Sequence, residues 1–275
     1  EGAIVYRGEK RGLHTRVFIN QGGIPTYEAK DVGLIFTKWD DYHFDTSVVV
    51  TGNEQTEYMK VVLASVGEYA PELVERTEHL THGMVRLAGN VKMSSRKGNF
   101  LKAVDVWEMV RGELGGDKAD DKVVLAAIKY AFLKYKVGGD IVFDPKESVS
   151  TNGNSGVYLL YSAVRAKKIL QKLTNRGGDE LNKKVVQADA GEYERRLNKK
   201  IVQYGEVLGE AVRERAPYKL CTYLYELAQE FSRFYEHVQV AGSEREVELS
   251  MSVKAYVGVM EQGLGLLGIE IPEKM

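Results

Sequence analysis

The sequence predicts an α/β domain built on a parallel sheet, then an all-α helical bundle, with helix predominating over the 275 residues. Three observations carry that expectation. Asp45 to Gly52 is a continuous β-branched run, the pattern of a parallel strand buried on both faces. It ends in Gly52-Asn53-Glu54-Gln55 and a helical pattern starts at Thr56, which together make half of a βαβ unit. Beyond residue 156 apolar residues recur at four-three spacing through several long segments, as in packed amphipathic helices. The polar, glycine-containing, aperiodic stretch 146–156 separates the two patterns, so the domains are set at 1–150 and 151–275.

Composition narrows the function classes. The length suffices for a sizeable core and two domains. Charged residues make up 28% and apolar residues 44%, as in ordinary globular proteins. The formal net charge is −1, so any attraction to a polyanion must come from local patches. The single cysteine, Cys221, excludes an internal disulfide and a multi-cysteine zinc site, and no bound metal is predicted. There is no apolar run of about eighteen residues and no signal peptide, so no membrane partner is predicted and a cytoplasmic location is expected. Glu1 to Gly8 reads as the middle of a sheet protein, and the chain is expected to be the C-terminal portion of a longer one.

Taken in order, residues 3–7 and 16–20 read as short strands joined by a polar turn. Gly22-Gly23 then leads into Pro25 and good helix formers, a helix start. Tyr27 and Asp31, spaced i, i+4, share a face of that helix, where spacing alone favours a plain surface pair. After the buried strand, Asn53, Glu54 and Gln55 lie beyond its carboxyl end, where ligands bind such sheets. Met59, Val62, Leu63 and Val66 mark the apolar side of the next helix, and Glu78 to Leu87 reads as another strand. His79 and His82 lack a third ligand nearby and read as ordinary polar residues. Asp105 to Tyr135 is helical with a break at Gly115-Gly116, and Ile141 to Pro145 is extended. Past the linker, stripes run through Leu159, Ala163, Ala166, Leu170 and Leu173, and through Leu220 to Val238 after Pro217. One further helix is expected over Tyr193–Arg215. Ser243 with Glu246 makes a capping box for a last helix, which Gly268 stops.

The most chemically loaded stretch is Val91 to Asn99. Lys92, Arg96 and Lys97 place three cations within six positions, and Ser94, Ser95 and Gly98 let a backbone approach a ligand closely. Such a loop can grip a polyphosphate, although clusters of this kind are more commonly solvated turns. Lys92-Met93-Ser94 resembles the Lys-Met-Ser-Lys-Ser signature of class I aminoacyl-tRNA synthetases, with Ser95 at the second lysine position and Arg96 after it. The flanking blocks resemble one family in particular, the arginyl-tRNA synthetases. They are Thr15 to Asn20, Pro25 to Asp31, Val50 to Gln55 and Gly83 to Leu87, in that family's order. Gly153 to Tyr161, Tyr223 to Gln229, Phe234-Tyr235 and Leu267 to Met275 resemble its anticodon-binding helical domain.

That resemblance implies a partial Rossmann-type nucleotide-binding domain, its C-terminal half, followed by an anticodon-binding bundle. Tyr27 and Asp31 match the tyrosine and aspartate that recognise substrate arginine, and Gln55 matches a further glutamine of that pocket. Lys92 matches the lysine that stabilises the β- and γ-phosphates of ATP. Ser94, Ser95 and Arg96 complete the catalytic loop, and Met84, Val85 and Met93 join Lys92 in the ATP site. Arg96 and Lys97 are the candidates to replace the missing second lysine. Tyr158, Tyr161, Arg165, Tyr235 and Met275 match positions that approach the tRNA, with Gln239 where some members carry tryptophan. Without that resemblance, structural tyrosines are the more common reading.

The implied activity is arginine–tRNA ligation with ATP and Mg2+, by a monomer whose partners are arginine and its tRNA. The family also needs a His-x-Gly-His-like block before Lys92, and His82-Gly83 comes too late to supply it. The chain is therefore expected to bind the anticodon loop without full catalysis, its truncation lying at the front and Met275 ending the natural protein. The alternatives are a non-catalytic tRNA-binding module and another class I synthetase. The lone cysteine argues against the cysteinyl type.

Overall fold

A computed structural model describes residues 2–88, 102–175 and 189–275. The basic loop with Lys92, Met93, Ser94, Ser95 and Arg96 lies outside the described residues. The chain divides into two compact units, Glu1–Val85 with Val137–Asp140, and Arg86–Lys136 with Ile141–Met275.

In the first unit, β1 (Ile4–Tyr6) and β2 (Arg16–Ile19) pair antiparallel. The helix α1 (Tyr27–Tyr42) follows, with Thr26 at its N-cap position and Pro25 bridged back to Ile19. The strand β3 (Ser47–Gly52) ends in a short 3₁₀ turn, Asn53–Gln55, and α2 (Thr56–Val66) continues from it. A short helix α3 (Pro71–Glu75) returns the chain to β4 (Thr77–His82), which pairs with β3 in parallel from Ser47↔Thr77 to Gly52↔His82. The expected βαβ crossover and parallel pairing are both present.

Two details differ from the sequence reading. The β3 strand is not covered on both faces: Val49 packs on the core, while Val48 and Val50 are 38% and 63% exposed. A β-branched run records high strand propensity on both faces, but cover depends on which other elements lie against them. Glu78 to Leu87 is not one strand either. It breaks between β4 and β5 (Val85–Leu87), where a Cβ on Gly83 would lie 2.1 Å from the Gly139 carbonyl oxygen. The Met84 amide donates to Asp140 Oδ1 at 2.9 Å, so this corner is fastened to the 138–140 turn rather than to a ladder. The core of the unit is Ile35, Met59, Val62, Val66, Ala70 and Leu73, the apolar face that the α2 spacing predicts plus its partner on α1.

In the second unit β5 pairs with β6 (Ile141–Phe143). Between them run α4 (Ala103–Glu113) and α5 (Asp121–Leu133), separated where Gly115 and Gly116 both take positive φ. The helix α6 (Pro145–Ser148) is capped by the Asp144 carboxylate. The bundle helices are α7 (Gly156–Thr174), α8 (Glu192–Val202), α9 (Tyr204–Arg213), α10 (Pro217–His237) and α11 (Glu246–Leu266). Their predicted stripes are core, with Leu159, Ala163, Ala166, Leu224 and Leu227 fully buried, and so are Val253, Met260 and Leu264 of α11. The polar stretch 146–156 is packed here. Ser155 caps α7 by accepting from the Tyr158 amide, and a Cβ on Gly156 would lie 2.2 Å from the Ala126 carbonyl oxygen.

The single helix expected over 193–215 is two. The ladder tightens at the Gln203 amide, which bonds three residues back to the Lys200 carbonyl at 3.2 Å, and α9 starts afresh beyond it. The capping box also slides. Ser243 Oγ accepts from the Arg245 amide at 3.1 Å, and the Glu246 carboxylate takes the Gly242 amide instead of that of Ser243. At the other end, Gly268 at φ 68° closes α11 as predicted. Its amide bonds to the Gly265 carbonyl and that of Ile269 to the Leu264 carbonyl, both at 2.9 Å, a Schellman pattern. Among the described residues no helix is long and apolar enough to cross a membrane.

Candidate functional site

The first unit contains a cavity of about 530 Å³ whose wall includes Arg16, Tyr27, Glu28, Asp31, Gln55 and Tyr58. Its construction is local. Tyr27 and Asp31 stand one turn apart on α1, Gln55 ends the 3₁₀ turn after β3, and Tyr58 is in the first turn of α2. Ile35 and Met59 lie below them in the core and hold the two helices together. The three residues matched to an arginine pocket are thus brought to one cavity, at the carboxyl end of a parallel strand.

The electrostatics of this cavity centre on Asp31. The Tyr58 hydroxyl donates to Asp31 Oδ2. Arg16 lies beside it, with Nη1 3.3 Å from Glu28 Oε1 and its guanidinium 5.5 Å from the centre of the Tyr58 ring. Burial first, and then the bond to Asp31, push the Tyr58 phenol well above its ordinary range, so it stays a donor at physiological pH. Tyr27 is 78% exposed, with the Lys30 ammonium 5.6 Å from its ring centre, so it stands at the mouth as a rim. The wall sets Glu28 and Asp31 against Arg16 and Lys38; with Arg16 beside Glu28, the Asp31 carboxylate is the acceptor offered to a cationic ligand. Arg16, Glu28 and Tyr58 were not picked out by spacing. The signal for Tyr58 was present, since it follows Gln55 by three residues beyond the same strand end.

Deeper along that strand, Thr51 Oγ1 and His79 Nε2 lie 2.8 Å apart, and burial holds the His79 imidazole below its ordinary range. His82 Nδ1 is 3.0 Å from the Gly83 carbonyl oxygen. Among the described residues no cluster of three or more His, Cys, Asp or Glu is arranged to hold a metal. Met84 is 59% exposed and Val85 partly buried, while Lys92 and Met93 fall outside the described residues.

In the second unit Arg165 lies between two rings, 3.9 Å from the centre of Tyr235 and 5.2 Å from that of Tyr161. Both rings are about two-fifths exposed. Both are cation–π distances, and among the described residues no carboxylate pairs with the guanidinium. Tyr158 is more enclosed: its hydroxyl is 3.2 Å from Ser232 Oγ, and its ring meets Tyr225 edge-on at 5.6 Å. Met275 is 42% exposed, at the end of a tail whose Ile269 is buried and whose Gly268 carbonyl accepts from Lys129.

Comparison with known proteins shows the family. Residues 2–144 match the family model described as tRNA synthetases class I (R), catalytic domain, and residues 159–275 match the DALR anticodon binding domain. An arginine–tRNA ligase of Porphyromonas gingivalis is 30% identical over 97% of this chain and 48% of its own length. One from Parabacteroides distasonis is 28% identical, over the whole of this chain and 51% of its own length. The chain spans about half the length of the curated relatives it matches. In three dimensions it superposes with a TM-score of 0.81 on an arginyl-tRNA synthetase of Thermus thermophilus. The identity there is 26%, and the match covers all of this chain and 54% of that one.

Proposed function

The chain belongs to the class I arginyl-tRNA synthetase family, and from that premise we propose that it is the arginine-recognising and anticodon-binding portion of an arginine–tRNA ligase. The convergence of Tyr27, Asp31 and Gln55 on one cavity carries this reading. In it the Asp31 carboxylate pairs with the guanidinium of substrate arginine, Gln55 adds a polar contact, and Tyr27 closes over the mouth. The reaction of the whole ligase is attack of the arginine carboxylate on the α-phosphate of ATP with loss of pyrophosphate, then transfer to tRNA. ATP enters as its Mg2+ complex. Lys92 steadies the leaving phosphates, with Ser94, Ser95, Arg96 and Met93 in the same loop and Met84 and Val85 beside the nucleotide. Positioning and charge stabilisation carry such a step. In the second unit Tyr161 and Tyr235 offer stacking faces, Arg165 a phosphate contact, and Tyr158 and Met275 flanking contacts to the anticodon loop. The protein acts as a monomer in the cytoplasm.

Calorimetry with L-arginine, L-citrulline and L-lysine tests the pocket. The account expects selective binding of arginine and its loss, by about tenfold or more, in Asp31→Asn, because a charge-assisted pair becomes a neutral contact. Equal affinity for arginine and citrulline would remove Asp31 from the role.

A further inference from the structure

We propose that Tyr58 is the positioning residue of the arginine pocket, fixing the Asp31 carboxylate so that one defined oxygen faces the ligand. The inference rests on the pocket reading above and adds a residue to it. Asp31 sits partly buried near the start of α1, and a short carboxylate there can rotate about χ2 unless something holds it. Tyr58 holds it from α2, its hydroxyl donating to Oδ2 and leaving Oδ1 without that donor. The phenol is itself fixed. Its ring packs on the unit's core, and the Arg16 guanidinium lies over its face, steadied by the 3.3 Å contact with Glu28. Arg16, Tyr58 and Asp31 therefore form a chain in which each group sets the next. A phenol is protonated throughout the physiological pH range, and burial moves its titration further away, so the hold persists there.

The arrangement also has a chemical consequence. A free carboxylate can take a guanidinium fork on both oxygens, or an ammonium on either. With Oδ2 already engaged by Tyr58, the favoured ligand is one whose planar N–H array reaches Oδ1 while its remaining donors meet neighbouring acceptors such as Glu28 and Gln55. A guanidinium provides that array; a compact ammonium does not. Tyr58 thus contributes to selectivity between arginine and lysine as well as to affinity.

A purely structural strut between α1 and α2 is the competing role, and the two are separable. The helices are already joined through Ile35, Met59 and Val62, so removing one hydroxyl leaves their packing in place. The test is binding of L-arginine and L-lysine to the wild-type chain, Tyr58→Phe, Asp31→Asn and the double variant, with thermal melts alongside. For Tyr58→Phe the expected result is arginine binding weakened about tenfold, lysine binding little changed and the melt close to wild type. In the Asp31→Asn background the same substitution has no further effect, since the group it positions is gone. Arginine binding unchanged in Tyr58→Phe overturns the positioning role alone. An equal loss for both ligands with a lowered melt assigns Tyr58 to structure and overturns it too. A wild-type chain that does not distinguish arginine from lysine overturns the pocket reading itself, and the positioning role with it.

Discussion

Arg165 shows how a single side chain can be prepared for two partners at once. Its guanidinium carbon stands 3.9 and 5.2 Å from the centres of the Tyr235 and Tyr161 rings. A cation–π contact of this kind leaves a guanidinium able to donate elsewhere, and both rings are partly exposed. A base stacking on either ring would meet a cation already in place for its phosphate. Arg165→Ala is therefore expected to weaken tRNA binding about tenfold and to flatten its salt dependence, while Lys168→Ala, a cation outside the stack, has a smaller effect. Filter binding at several salt concentrations reads both. At this scale the sequence was legible where spacing is fixed by a helix, as with Tyr27 and Asp31, or Tyr161 and Arg165. It was silent on pairs brought together from separate elements. The Tyr58–Asp31 bond joins two helices, and no periodicity announces it.

Elements were legible in proportion to how far local chemistry dictates them. The Schellman close at Gly268 and the break at Gly115-Gly116 follow from backbone conformations that glycine alone adopts cheaply, and both stand where the sequence places them. The α8–α9 break has no positive-φ glycine; its only local hint is Gly205, a weak helix former two residues on, and both helices pack against α10. The stretch 146–156 taught a different lesson. Its serines, glycines and asparagines read as loose, yet Ser155 caps a helix and Asn154 accepts from the buried Tyr130 hydroxyl at 2.6 Å. Polar composition there reflects hydrogen-bonding duties of a tight corner. Gly156 is part of it: any Cβ would press on the Ala126 carbonyl, and both groups belong to helices that pack face to face. Gly156→Ala should destabilise the protein by about 3 kcal/mol and lower its melting temperature by roughly 6–10 °C, whereas Gly191→Ala, in open space, changes little. Paired thermal melts decide it.

For the molecule as a whole, the net charge of −1 means that recognition of a polyanion rests on where the cations stand rather than on their number. On the proposed reading the two units divide the family's task. One presents a cavity of about 530 Å³ with the Asp31 carboxylate in its wall, and the other sets the Arg165 guanidinium beside the Tyr235 and Tyr161 rings. Family membership was readable from ordered blocks spread along the chain, because each block is a small set of residues that one ligand or one turn requires. Cover over the outer face of β3 was not, since a strand's own sequence does not say what packs on it. The most direct measurement of the central claim is binding of this chain to arginine tRNA, and to the same tRNA altered at the middle anticodon base, at one fixed salt concentration. The account predicts clear preference for the unaltered tRNA, by about tenfold or more, as expected when a base contact is lost. Equal, weak binding of both would mean that only phosphate attraction operates, and would contradict the assignment of Tyr158, Tyr161, Arg165, Tyr235 and Met275 to anticodon recognition.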